Sequence, residues 1–159
     1  MPLIGITGHR GFDDETAKVV TTALRAAVSS YPAAELTGVS CLADGTDALF
    51  AEAVLEHGGR LEAVIPAAQY REHLPKSHHA TYDRLINAAV TCHPLAYDES
   101  TSEAHMAASE LMLSLIDRLI AVWDGLPARG YGGTADVVAR AQTMGLPVDV
   151  IWPEGAHRG

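Results

Sequence analysis

The sequence has few basic residues, few cysteines and no long hydrophobic run, and each scarcity excludes a class of protein. Eleven Lys and Arg residues stand against 20 Asp and Glu residues, which gives a formal net charge of −9. Binding along a nucleic-acid backbone needs clustered Lys and Arg. We therefore expect no nucleic acid as a partner, although backbone N–H groups and one or two arginines would suffice for a small anion.

Cys41 and Cys92 are the two cysteines, and they lie in or beside predicted strands far apart in the sequence. We expect buried free thiols rather than a disulfide. No stretch reaches the length of a membrane-spanning helix, so no membrane partner is predicted. The first residues, MPLIGITGHRG, lack a basic segment followed by a long apolar one, so we expect no secretory signal and a cytoplasmic protein.

Apolar runs typical of buried strands alternate with segments of helical periodicity about five times along the chain. Strands are predicted at 3–7, 36–42, 61–65, 91–95, 119–123 and 148–152, and helices at 15–30, 79–88, 102–116 and 134–144, with another helix between 47 and 58. This alternation predicts an α/β fold with an open, mostly parallel sheet and helices on both faces. We expect one domain over residues 1–153 and a frayed tail at 154–159.

Three loops are expected at the carboxyl ends of the strands, where ligands bind in such sheets. They are residues 7–11, 43–47 and 124–134. The third contains Gly130, Gly132 and Gly133 before a helix that begins at Thr134. Glycines let backbone N–H groups approach a ligand, and the helix N-terminus favours an anion, so the loop suits a phosphate. The alternative is that these glycines only make a tight turn.

The same loops carry a family resemblance. Four segments carry it: Thr7-Gly8-His9-Arg10, Leu42-Ala43-Asp44-Gly45-Thr46-Asp47-Ala48, Asp124-Gly125 and Gly132-Gly133-Thr134. Together they resemble the SLOG superfamily of Rossmann-like domains, which includes the DprA proteins and the LOG phosphoribohydrolases. The resemblance implies a Rossmann-like fold and a site for a nucleotide or nucleotide-derived ligand, with the glycine-rich helix start on the phosphate.

The loop differs from that of the LOG enzymes, which reads Pro-Gly-Gly-x-Gly-Thr-x-x-Glu. Arg129 stands in place of the Pro, Tyr131 in place of a Gly and Val137 in place of the catalytic Glu. Asp136 lies one position earlier, about 100° around the helix. The comparison therefore favours binding over LOG-type hydrolysis.

Candidate site residues follow from these loops and from spare carboxylates. For the ligand and its phosphate we predict Gly8, His9, Arg10, Asp44, Gly45, Thr46, Asp47, Asp124, Gly125, Gly132, Gly133 and Thr134. Arg10 and His9 suit a phosphate, and Asp44 and Asp47 suit ribose hydroxyls. Glu103 and Glu110, seven residues apart on one helix face, are the candidate catalytic carboxylates, unless they are ordinary exposed glutamates.

The sequence thus predicts a protein that binds a nucleotide or ADP-ribose-like ligand as a sensor or regulatory module. The alternative is a nucleotide N-glycosidase that releases a base from a nucleoside 5′-monophosphate. We expect no cofactor and no metal site, because the spacing of His73, His78 and His79 gives no clean ligand pair. A homodimer is expected through the helix at 102–116, which is apolar enough to bury two faces.

Overall fold

The structure is a computed structural model that describes residues 2–158, and its centre is one parallel sheet. The strands are β1 (Leu3–Gly8), β2 (Thr37–Ser40), β3 (Arg60–Ala67), β4 (Thr91–Tyr97), β5 (Arg118–Val122) and β6 (Val148–Ile151). Their spatial order is β4-β3-β2-β1-β5-β6, and each neighbouring pair is parallel. The predicted α/β fold is confirmed.

The helices are α1 (Asp14–Ser29), α2 (Thr46–Glu56), α3 (Tyr70–His73), α4 (His79–Ala88), α5 (Ser102–Leu115) and α6 (Thr134–Thr143). The predicted helices at 79–88, 102–116 and 134–144 agree to within one residue, while the short α3 falls in a segment expected to be a loop. Polar side chains cap the N-termini of α1 and α5. Asp13 accepts a hydrogen bond from the Thr16 N–H at 2.7 Å, and Thr101 accepts one from the Ala104 N–H at 3.1 Å.

Alternate residues of the central strand pack on opposite layers of helices. Ile4 and Ile6 of β1 lie in a cluster with residues of α1 and α2. Gly5 lies between them and faces α5, where an added Cβ would lie 2.6 Å from Ile116 Cδ1. Successive strand residues point to opposite faces, so helices must cover both. The helices α1, α2 and α4 cover one face, and α5 and α6 cover the other.

The strand order reverses beside β1. Strands β2, β3 and β4 extend from one side of β1, and β5 and β6 extend from the other. Gly8, the last residue of β1, pairs with Val122, the last residue of β5. The loops that follow β1 and β5 therefore diverge at the switch point, where parallel sheets of this kind bind ligands.

Two expectations about surfaces need correction. Residues 154–158 are not frayed: Ala156 is buried and the His157 N–H donates to Thr16 Oγ1 at 3.0 Å. Cys92 is exposed on the edge strand β4, although both cysteines are free as expected. No helix within residues 2–158 is long and apolar enough to cross a membrane.

The apolar residues of α5 are used mainly within the domain. Met106 and Leu113 are buried in the cluster between this helix and the sheet, and Leu111 and Leu115 are half-buried. The face on which we expected a second copy is thus largely part of the core. The homodimer stays a prediction.

Candidate functional site

A cavity of about 510 Å³ opens at the switch point, within the size range of small-molecule sites. It is lined by Ile6, Thr7, Gly8, His9, Arg10, Gly11, Cys41, Ala43, Asp47, Pro66, Tyr70, His105, Ser109, Met112, Ala128, Arg129, Gly130, Gly132, Gly133, Thr134 and Arg158. We call this space the switch-point cavity. Seven of the predicted site residues line it: Gly8, His9, Arg10, Asp47, Gly132, Gly133 and Thr134.

The loops after β1 and β2 are joined through Thr46. Its backbone N–H and its hydroxyl both donate to the His9 carbonyl, at 3.2 and 2.9 Å. The approach is close enough to require glycine on both sides. A Cβ on Gly8 would lie 2.4 Å from Thr46 Oγ1, and Gly45 has φ +85° with its Cβ position 2.8 Å from the His9 carbonyl oxygen. Gly45 and Thr46 therefore hold the two loops together and do not line the cavity.

Asp44 orients Arg10. The Nε and Nη2 groups of Arg10 both donate to Asp44 Oδ1, at 3.0 and 2.7 Å. Burial opposes the charge of Arg10, but the Asp44 contact outweighs it and raises the pKa of the guanidinium. Asp44 does not line the cavity, so its observed contact is with Arg10, where we had expected contact with a ribose.

Asp47 is the only acidic residue among the described residues that line the switch-point cavity. It lies in the first turn of α2. Burial raises the pKa of Asp47 to about 7, against the opposing effects of the Ala43 backbone N–H and of Arg10. Its carboxyl group thus changes charge near neutral pH, unlike an exposed aspartate.

The glycine-rich loop is tightly built before α6 begins. Gly132 has φ +83°, and its N–H donates to Asp136 Oδ2 at 2.9 Å. The Gly133 N–H donates to the Gly130 carbonyl at 3.2 Å. Two of the N–H groups expected to hold a phosphate are therefore used inside the loop. An anion would instead meet the first-turn N–H groups of α6, beginning at Thr134, which lines the cavity.

Asp124 and Gly125 lie outside the cavity. Asp124 Oδ1 accepts from the Leu126 N–H at 2.9 Å and from Arg158 Nη2 at 3.0 Å, and lies 3.3 Å from His9 Nε2. Burial acts to raise the pKa of Asp124, but Leu126, His9 and Arg158 together hold it below its usual value. Gly125 has φ +81°, which suits the turn at this point.

The two imidazoles at the cavity have lowered pKa values, which favours their neutral forms. Burial lowers the pKa of His9, and Arg158 adds to the effect. Burial also lowers the pKa of His105, with further contributions from Arg10 and His73. His105 stacks edge-on against Tyr70 with ring centroids 5.6 Å apart, and its Nε2 lies 2.7 Å from the Ser100 hydroxyl. These rings can exchange hydrogen bonds with a ligand without adding positive charge.

Several lining residues had not been predicted, namely Cys41, Tyr70, His105, Ser109, Arg129 and Arg158. His105 and Ser109 lie one turn apart on α5, and the others come from separate segments and share no motif, so spacing did not identify the set. The position of Arg129 in the glycine-rich loop was the one available signal.

The candidate catalytic carboxylates lie elsewhere. Glu103 is exposed in the first turn of α5, and Glu110 Oε1 lies 3.3 Å from Arg140 Nε on the exposed side of that helix. Neither lines the switch-point cavity. A spacing of seven residues places the two glutamates on the same face of α5. That face is exposed to solvent and does not line the cavity at the carboxyl edge of the sheet.

The histidine cluster binds backbone groups. Ring nitrogens of His73, His78 and His79 lie 2.9 to 3.1 Å from the carbonyls of Gln69, Leu42 and Leu74. Across residues 2–158, no group of three or more His, Cys, Asp or Glu side chains is arranged to hold a metal ion.

Similarity to known proteins is visible in three dimensions. No family model and no curated protein matches the sequence. The structure superposes on DprA from Streptococcus pneumoniae with a TM-score of 0.69 and 22% identity, covering 97% of this chain and 51% of that one. DprA from Helicobacter pylori, whose structure describes its single-stranded DNA binding mode, superposes with a TM-score of 0.68 and 17% identity. The match covers 94% of this chain and 64% of that one. The chain thus spans about half to two thirds of these DprA structures.

A second kind of structural neighbour binds a cofactor. The molybdenum cofactor binding protein of the phototrophic bacterium Rippkaea orientalis matches with a TM-score of 0.63 and 15% identity, covering 96% of this chain and 77% of that one. At such identities the likeness concerns the fold, so ligands named for these proteins belong to them.

The exclusion of nucleic acid as a partner is wrong. It depended on the net charge, yet the H. pylori DprA, which has this fold, binds single-stranded DNA. A net charge averages over the whole surface, whereas a bound phosphate responds to nearby charge. Here Arg10, Arg129 and Arg158 all line one cavity of an acidic protein. With DprA and molybdenum cofactor binding protein structures superposing over nearly its whole length, the chain has the Rossmann-like fold that these proteins share.

Proposed function

We propose that the switch-point cavity binds a nucleotide or a related phosphorylated ligand, and that the protein acts as a sensor or regulatory module. One observation carries the proposal. The cavity is bordered by the N-terminus of α6 and by three arginines, Arg10, Arg129 and Arg158, while the chain as a whole has a net charge of −9. Arg10 and Arg158 pair with Asp44 and Asp124, so the indication of an anionic ligand comes from guanidinium donors gathered beside a helix N-terminus and not from an excess of positive charge.

The phosphate subsite in this proposal combines a helix start with a guanidinium. The N–H groups at the first turn of α6 have no partner within the helix and carry its positive dipole end. Arg10 is held by Asp44 through Nε and Nη2, so Nη1 is the nitrogen left to reach an anion. A guanidinium fixed in advance loses little entropy when it binds a phosphate.

Binding is favoured over hydrolysis of an N-glycosidic bond. A hydrolase of that kind needs a carboxylate beside the sugar. Glu103 and Glu110 lie outside the cavity, and the position of the LOG glutamate is occupied by Val137, which is buried. We therefore place the sensor function first.

Thermal unfolding against a panel of nucleotides tests the proposal. A ligand at about 100 times its Kd stabilises the fold by about 2.7 kcal/mol, which corresponds to a rise of roughly 5 to 10 °C in Tm for a chain of this size. The panel is AMP, CMP, GMP, ADP-ribose, NAD and cyclic dinucleotides, with the matching nucleosides as controls.

Arg10→Gln should weaken the binding of the active ligand about tenfold or more, because a charge-assisted hydrogen bond is lost. The matched control is Arg25→Gln, since Arg25 pairs with Glu56 on the outer surface of α1 and α2. A panel without any shift, or equal losses in the two variants, would contradict the proposal.

A second candidate is binding of single-stranded DNA at the same arginines. The likeness to DprA and the three cavity arginines favour it. Fluorescence anisotropy with a labelled oligo-dT should then give an affinity that falls with salt, and Arg10→Gln should reduce the slope of log K against log salt by about one. An unchanged anisotropy at low salt would remove this candidate.

A further inference from the structure

A carboxylate in an arginine-lined cavity requires an explanation. Asp47 lines the same space as Arg10, Arg129 and Arg158, and a phosphate beside it would be repelled. The Asp47 carboxylate would weaken the binding of a ligand that consists only of an anionic group. The carboxyl group therefore indicates that the ligand presents hydrogen-bond donors at a distance from its anionic group.

The topology separates Asp47 from the helix-start part of the phosphate subsite, while Arg10 lies near Asp47. Asp47 follows β2, and the glycine-rich loop follows β5, with β1 between these strands. Two strand spacings amount to about 10 Å. Tyr70, Pro66 and Met112 supply apolar and aromatic surface to the same cavity. A flat ring that carries a phosphorylated substituent would reach from Asp47, across the apolar surface, to the glycine-rich loop.

Asp47 keeps acceptor capacity for such a ring. The Ala43 backbone N–H lies near its carboxyl group and stabilises the charged form. A carboxylate has about four lone-pair sites on its two oxygens, so one such neighbour leaves further positions. The other groups near it are Arg10, Asp44, Cys41 and Tyr70.

Building on the proposed function, we propose that Asp47 binds the donor edge of a phosphorylated 2-amino-4-oxo heterocycle, a guanine nucleotide or a pterin phosphate. Both rings carry a ring N–H next to an exocyclic amino group, and the two donors fit the two oxygens of one carboxylate. Adenine has an acceptor beside its amino group, and hypoxanthine lacks the amino group. The carboxylate thus selects the ring while the arginines hold the phosphate.

Isothermal titration calorimetry with GMP, IMP, AMP and 6-hydroxymethylpterin phosphate tests this selection. GMP and IMP differ only in the 2-amino group. We expect GMP or the pterin phosphate to bind about tenfold to a hundredfold more tightly than IMP, because one hydrogen bond to a charged acceptor is lost. Tighter binding of one of the two favoured ligands identifies the source of the ring.

Asp47→Asn provides the second arm. The amide keeps an oxygen for the Ala43 N–H but presents an NH₂ group to the ligand's donors, so the preference for GMP over IMP should disappear. Asp14→Asn, at an exposed residue in the first turn of α1, is the matched control and should keep the preference.

The outcomes separate this inference from the proposed function. Equal binding of GMP, IMP, AMP and the pterin phosphate to the native protein would overturn the role of Asp47 and leave a phosphate site. A preference that survives Asp47→Asn would also overturn it. Failure of every phosphorylated ligand to bind would instead overturn the proposed function itself. Because the native protein alone gives the ligand ranking, a variant that misfolds does not block the test.

Discussion

The hydroxyl of Thr46 donates a 2.9 Å hydrogen bond to the backbone carbonyl of His9, 37 residues earlier in the chain. With the Thr46 N–H on the same oxygen, this contact fixes the loop after β1 against the start of α2. Arg10 follows His9 directly and Asp47 follows Thr46, so the contact sets the positions of two side chains that line the cavity. The approach depends on glycine at position 8.

Gly8→Ala should destabilise the protein by about 1 to 3 kcal/mol, because the new methyl group would lie 2.4 Å from a buried hydroxyl. Urea unfolding measures the change. Gly130→Ala is the control, since its added Cβ meets no atom within 4 Å. Equal stability of the two variants would show that the loops can separate at no cost.

Arg158→Ala should cost about 2 to 4 kcal/mol, because it leaves Asp124 buried without its main cation. The side chains of Arg158 and Asp124 are only 12% and 9% exposed, and Arg158 Nε lies 2.9 Å from Asp124 Oδ2. A double-mutant cycle with Asp124→Asn isolates the pair, and a coupling energy near zero would contradict a structural role for this tail residue.

The stability of the native protein relative to Asp47→Asn should depend on pH. The folded pKa of Asp47 is about 7 and its ordinary value is 3.8, so the folded state holds the proton more tightly. This contribution is fully present below pH 4 and is lost as pH rises through 7. Between pH 4 and 8, the free energy of unfolding of Asp47→Asn should therefore rise relative to that of the native protein. Urea unfolding measures this difference, and Asp14→Asn should show no such trend.

His9 and His105 affect the pH dependence of stability in the direction opposite to Asp47. Their pKa values are lowered in the folded protein, so their contribution is present above pH 6.5 and is lost as pH falls. Both histidines are kept in Asp47→Asn, and their effect cancels in the comparison. A constant difference in unfolding free energy across the range would contradict the raised pKa of Asp47.

Glu103→Gln and Glu110→Gln should leave ligand binding unchanged within about twofold, because neither residue lines the cavity. Glu110→Gln should cost at most about 1 kcal/mol of stability through the exposed pair with Arg140. Any base release from nucleoside monophosphates should also be unaffected, as chromatography would measure. Loss of base release in either variant would restore a catalytic role on α5.

Much of the architecture could be predicted because it is local. The buried runs at 3–7 and 119–123 have no polar alternation, which is the pattern of a strand covered on both faces. The helix predicted at about 79–88 is present as α4, although its segment is mostly polar and only Tyr82 and Leu85, three residues apart, are buried. The tail at 154–158 was predicted wrongly, since its anchors Thr16 and Asp124 lie far away in the sequence.

What the sequence by itself determined was the order of strands and helices and the three loops at their carboxyl ends, because periodicity and glycine positions act over a few residues. Only the tertiary structure decided which polar side chains share the cavity. It turned Glu103 and Glu110 to the outer surface, gave Asp44 to Arg10, and brought Asp47, His105 and Arg158 together from distant segments. Side chains from separate elements meet through helix rotation and loop packing, and neither is written in the spacing of residues along one element.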